Sequence, residues 1–114
     1  MAIQRIAPIL TVDDLADAVR VHTAILGLHV VMDNGWIVFL ADDDGRQLGL
    51  MTVDRTAPMN PDLSVFVDDV EAVHRRAVVA GVKIVHPLTS EEWGVQRFFY
   101  RDASGRVVNV GTHA

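Results

Sequence analysis

A chain of 114 residues, half of them apolar, suits one compact domain whose core is large enough for it to fold alone or as a small oligomer. Its net charge of −5, with no basic run, would repel a nucleic-acid backbone, and the absence of cysteine excludes disulfides, thiolate metal sites and a cysteine nucleophile. No apolar run is long enough for a membrane span and no charged-then-apolar leader opens the chain, so neither a membrane partner nor a signal peptide is expected and the cytoplasm is the default location.

Ile6 to Val12 reads as a strand, and Asp13 or Asp14 supplies an N-cap for a helix with Leu15, Ala18, Val19, His22 and Ile25 along one face. Gly27 stands where a left-handed C-terminal cap belongs. Leu28 to Met32 is apolar and β-branched, Asp33-Asn34-Gly35 is turn chemistry, and Trp36 to Ala41 with Gln47 to Val53 forms a hairpin. The order is β-α-β-β-β over residues 1–53. Asp54 to Pro61, with two prolines and no periodicity, is a connector.

The pattern then restarts over residues 62–114. Leu63 to Val67 is a strand, a helix follows from about Val70 with Val73, Ala77 and Val78 on one face, and Gly81 is its cap. Val82 to Val85 is the next strand and Pro87 to Glu92 a polar loop. Phe98 to Tyr100, preceded by Gln96, and Val107 to Val110 close a second hairpin about Asp102 to Gly105. Val12-Asp13-Asp14 recurs as Val67-Asp68-Asp69, and Phe39, Asp42, Gly45 and Arg46 recur as Phe99, Asp102, Gly105 and Arg106. One unit is used twice within a single 1–114 domain.

The paired modules, with VDDL and LGL in the first and VDDV, WGVQRFFYRD and SGRVVNV in the second, resemble the vicinal-oxygen-chelate superfamily. That family includes glyoxalase I, extradiol dioxygenases, fosfomycin-resistance enzymes and bleomycin-resistance proteins. The resemblance covers essentially the whole chain and implies an α+β fold of two tandem βαβββ modules, a cup-shaped mixed sheet with its helices outside and the ligand in the hollow. It also implies a homodimer. Metal-using members take His, Glu or Gln ligands from the first and last strands of each module, positions that fall here on Ala7, Gly49, Asp62 and Asn109. Only Asp62 is a good ligand, and a catalytic divalent ion needs about three. No metal and no other cofactor is therefore expected.

Strand alternation places Asp62, Ser64 and Phe66 in the hollow, because Leu63, Val65 and Val67 point the way the helix packs; Ala7 and Ile9 follow in the first module. Pairing Arg101 with Arg106 across a four-residue turn sets Phe98, Tyr100 and Asn109 on the same face. The equivalent pairing in the first module adds Trp36, Val38 and Met51. A β-bulge would invert part of this. The expected ligand-binding set is Ile9, Trp36, Val38, Met51, Asp62, Ser64, Phe66, Gln96, Phe98, Tyr100 and Asn109, with Trp93 either a lid or a hinge-side packing residue. Aromatic faces stack on flat rings, Met adapts to irregular shapes, and Tyr and Asn orient by hydrogen bonds, although such residues also fill ordinary cores or dimer interfaces.

Acid/base chemistry is thinly represented. His22 and His74 lie on helices, His86 adjoins Pro87 at a strand end, and His113 is in the terminal tail; His29 is in a strand and could face either way, and a register slip would bring it into the hollow. Asp42 to Asp44 and Glu91-Glu92 read as solvated turns. No catalytic residue is assigned. The expectation is a metal-free small-molecule-binding protein of the bleomycin-resistance kind, sequestering an apolar or aromatic ligand such as an antibiotic, with Asp62 available to a cationic group. The alternative is a lyase, isomerase or dioxygenase with a non-standard metal or an Asp62-based site.

Overall fold

The computed structural model describes residues 2–113, which form eight strands and two helices: β1 (Ile3–Thr11), α1 (Leu15–Leu26), β2 (His29–Asp33), β3 (Ile37–Ala41), β4 (Gln47–Met51), β5 (Leu63–Val67), α2 (Val70–Ala80), β6 (Lys83–Glu91), β7 (Val95–Arg101) and β8 (Val107–His113). The α+β class and the twofold β-α-β-β-β order are borne out. Both helices begin and end as the sequence requires. Asp14 and Asp69 accept hydrogen bonds from the backbone N–H groups of Asp17 and Ala72, and Gly27 and Gly81 close the far ends at φ of 69° and 79°.

By compactness the chain divides into two units, residues 7–60 and residues 1–6 with 61–114. In the first unit the strand order is β2-β3-β4-β1, with β1 parallel to β4 and the others antiparallel. One face, Val38, Leu40 and Leu50, packs beneath Leu15, Ala18 and Val19 of α1. Ala7, Ile9, Phe39 and Met51 cluster separately with Met32, Trp36 and Ile37 on the other face. The stretch 54–60 is tied down by polar side chains: Asn60 donates to the Thr52 carbonyl at 2.7 Å and to Thr11 Oγ1 at 2.9 Å, and accepts from the N–H of buried Asp54.

In the second unit the order is β5-β8-β7-β6, β5 running parallel to β8. Val67, Val70, Phe98, Val108 and Val110 form the core beneath α2, joined by Val73, Ala77 and Tyr100. The loop expected from Pro87 to Glu92 is instead, as far as Glu91, the second half of β6, with register shifts between Ile84 and His86 and between His86 and Thr89. These irregularities break the alternation by which a strand is recognised.

Both closing hairpins carry one more residue than the sequence suggests. Arg101 pairs with Val107 and Ala41 with Gln47, so each loop has five residues, Asp102–Arg106 and Asp42–Arg46. Asp102 Oδ1 accepts from the N–H groups of Ser104 and Arg106, both at 2.9 Å, and Gly105, at φ 83°, donates to the Asp102 carbonyl. Asp42 and Gly45 repeat the same contacts. Adding one residue leaves Met51 and Asn109 on the expected face and reverses the strand paired with each, β3 and β7. Val38, Phe98 and Tyr100 are accordingly corrected from the hollow to the helix side, and Phe39 and Phe99 take the opposite face.

Candidate functional site

The helix-distal face of the second unit carries the densest polar chemistry, and pairing across its four strands orders it into rows. His86 (β6) pairs with Phe99 (β7), Phe99 with Asn109 (β8), and Asn109 with Ser64 (β5). The next row is Thr89, Arg97, Gly111 and Phe66, and beyond it Glu91 pairs with Val95 and Val95 with His113. Gly111 is there because a Cβ would press on the Phe66 ring at 3.3 Å.

In the first row Asn109 Nδ2 donates to Ser64 Oγ at 3.0 Å, leaving Asn109 Oδ1 buried without a partner. At the other end His86 is buried, its Nε2 likewise lacks a hydrogen bond, and Glu91 Oε1 lies 3.6 Å away. Glu91 Oε2 accepts from Arg97 at 3.1 Å, with both side chains only 6% exposed. A buried ion pair of this kind is held by its geometry, because neither charge tolerates the interior alone. The Arg97 guanidinium lies over the rings of Trp93 and Phe99, 5.1 and 4.9 Å from their centroids. Glu91 is therefore corrected from a solvated turn residue to the anion of a buried cluster.

Beside the second row, Arg5 stands 4.3 Å above the Phe66 ring, Phe66 stacks on His113 at 4.6 Å, and Arg5 Nη2 reaches His113 Nε2 at 3.4 Å. Partial burial holds the His113 imidazole below its usual pKa, and the neighbouring Arg5 charge adds to this. Burial also lowers Arg5.

The expected site residues divide accordingly. Ser64, Phe66 and Asn109 share the helix-distal face of the second unit, while Ile9, Met51 and Trp36 cluster on the corresponding face of the first. Val38, Phe98 and Tyr100 lie beneath the helices, Tyr100 lining a shallow groove of about 340 Å³ with Val73, Arg76, Ala77, Ala80 and Val82. Gln96, half-buried, alternates with Arg97 and so shares the Phe98 side, opposite Thr112. Asp62 is exposed, its Oδ2 accepting from the Val107 N–H at 2.9 Å, and is not presented to the sheet face as a base or counter-ion. Trp93, 40% exposed, occupies the tight turn before Gly94. His29 is exposed at the start of β2. Arg5, His86, Arg97 and Phe99 were missed. An arginine in an aromatic strand and a histidine beside a proline were the available signals, and the bulges of β6 concealed where they point.

A family model described as glyoxalase/bleomycin resistance protein/dioxygenase superfamily matches residues 2–110. The chain belongs to this superfamily. Among solved structures, a Legionella pneumophila protein described as an NAD-dependent benzaldehyde dehydrogenase shares 16% identity over 96% of this chain and 99% of its own, with a TM-score of 0.81. A superfamily member from Vibrio splendidus 12B01 shares 19% over 97% and 99%, with a TM-score of 0.73. The Streptomyces coelicolor methylmalonyl-CoA epimerase, in complex with 2-nitronate-propionyl-CoA, shares 17% over 98% and 96%, at 0.60. These likenesses establish the fold. No curated protein sequence matches.

The positions at which superfamily members hold a metal do not fit one here. Ala7 has only a methyl group, and a Cβ on Gly49 would lie 2.4 Å from Ile9 Cδ1 and 2.9 Å from Phe39, so Ile9 occupies the space a ligand side chain would need. Asp62 is engaged with the backbone and Asn109 with Ser64. Among the described residues no three His, Asp or Glu side chains come together as a metal-binding group. Nor, among them, is any helix long and apolar enough to cross a membrane.

Proposed function

We propose that this superfamily member is a small-molecule-binding protein that grips an apolar or aromatic ligand without a metal, in the manner of the bleomycin-resistance proteins. The observation that carries the reading is the filling of the Gly49 position by Ile9 and Phe39, which puts hydrocarbon where a metal-using relative would place a donor. Each module is taken by itself: the residues available to a ligand on the helix-distal face are Ile9, Trp36 and Met51 in the first, and Ser64, Phe66 and Asn109 in the second. Apolar and aromatic side chains supply buried area, and a few polar atoms fix orientation. Exposed Ile25, Leu26, Val30 and Val31, at the end of α1 and on β2, support assembly as a homodimer.

The test is a thermal-shift screen of flat aromatic compounds, repeated after exhaustive dialysis against a chelator. Unchanged stabilisation by the same compounds is expected. Hits that vanish with the chelator and return with a divalent ion would contradict the proposal. An enzymatic reading, as a lyase, isomerase or dioxygenase, draws on the buried His86–Glu91 pair, which has the composition of a proton-transfer couple. It predicts solvent deuterium appearing in a bound compound, lost in His86→Gln.

A further inference from the structure

Tyr100, placed on the helix side of the sheet, still meets open space. It lines a groove of about 340 Å³ with Val73, Arg76, Ala77, Ala80 and Val82. Residues 73, 76, 77 and 80 recur at helical spacing, so they form one flank of α2. Two of them are alanines, whose short side chains leave what lies beneath uncovered: Val82, just before β6, and Tyr100 on β7 are only half-buried. The volume falls at the lower end of small-molecule sites, about 300–1,000 Å³, and suits a compact ligand rather than a long chain.

The walls are apolar, and two polar groups remain. Among the described residues, neither the Arg76 guanidinium nor the Tyr100 hydroxyl has a hydrogen bond or ion pair within the chain. Both donate, and one carboxylate accepts from two donors at once. The charge around them has the same sign. Arg75 shares the adjoining depression on α2 with Arg76, and Lys83 and Arg101, paired across β6 and β7 on the reverse side of the sheet, add to it at longer range. The acidic residue of α2, Glu71, is in its first turn, and its last turn carries no basic residue, so the carbonyls beyond Arg76 disfavour an anion there. The charged end of a ligand therefore belongs at Arg76 and its apolar body toward Ala80 and Val82. The uncovered part of the Tyr100 ring favours an aromatic body.

We infer that this groove is a second, helix-side binding site for a compact aryl carboxylate, its carboxylate accepting from Arg76 and the Tyr100 hydroxyl and its ring packed against Ala77, Ala80 and Val82. The site lies on the opposite side of the sheet from Ser64, Phe66 and Asn109, and it does not depend on the metal-free reading of that face.

The experiment is an amide NMR titration of the full chain with phenylacetate and with phenylacetamide, which keeps the ring and loses the charge. Shifts are expected at Val73, Ala77, Val82 and Tyr100. The acid should bind about fivefold more tightly than the amide, the margin of a partly exposed ion pair, and lose that margin at high salt. Arg76→Gln should erase it. Tyr100→Phe removes a hydroxyl that has no partner in the fold and should weaken the acid about threefold. Equal affinity of the wild-type protein for acid and amide overturns the carboxylate site, as does an absence of shifts around the groove. Shifts confined to the face of Ser64, Phe66 and Asn109 overturn it as well, while leaving the metal-free reading intact.

Discussion

At Gly49 a hydrogen in place of a side chain decides what the helix-distal face of the first module can hold. The Cβ position is already claimed by Ile9 Cδ1, at 2.4 Å, so Gly49→Ala must push Ile9 and Phe39 apart. Overpacking of this kind costs about 1–3 kcal/mol, and chemical denaturation should show that loss with an unchanged dependence on denaturant. At His113 the expectation concerns protons. Its folded-state pKa is depressed by partial burial and then by Arg5, so between the folded and ordinary values the unfolded chain binds more protons. The contribution of this group to stability is therefore present above the ordinary histidine range and declines as pH falls through it. An NMR titration should place the His113 midpoint below that of a free imidazole. Arg5→Gln should raise it only partway, because burial, the larger cause, remains.

At the scale of elements, the two helices were legible because each is written in local chemistry: an aspartate N-cap, an apolar stripe and a terminal glycine. The hairpins were legible as hairpins but not in register. Asp102 and Gly105 announce a turn, yet whether four or five residues close it depends on Asp102 Oδ1 reaching the Arg106 N–H, a contact that composition does not specify. That single residue reversed the placement of Phe98, Phe99 and Tyr100 and of Val38 and Phe39. On β6 the bulges put His86 and Glu91 on the same side as Arg97, a result alternation alone would not yield. The buried pair has a measurable consequence. Arg97→Met strands the Glu91 carboxylate and should cost about 3–5 kcal/mol, whereas adding Glu91→Leu should restore much of it, by denaturation of both variants.

At the scale of the molecule, duplication was the most readable feature, since the internal repeat of Phe39-to-Arg46 in Phe99-to-Arg106 needs no knowledge of contacts. It led to the superfamily that the family match establishes. The composition of the site was partly legible: Ala7 and Gly49 lack donors on inspection, while the orphaned Asn109 Oδ1 and the His86–Glu91–Arg97 cluster exist only once four strands are aligned. The most direct measurement is the metal content of the protein after incubation with excess zinc, nickel, manganese or ferrous ion and removal of unbound ion. Well below one ion per chain should remain for every metal. One tightly held ion per chain, released by Asn109→Ala, would contradict a face built to grip its ligand with hydrocarbon and hydrogen bonds alone.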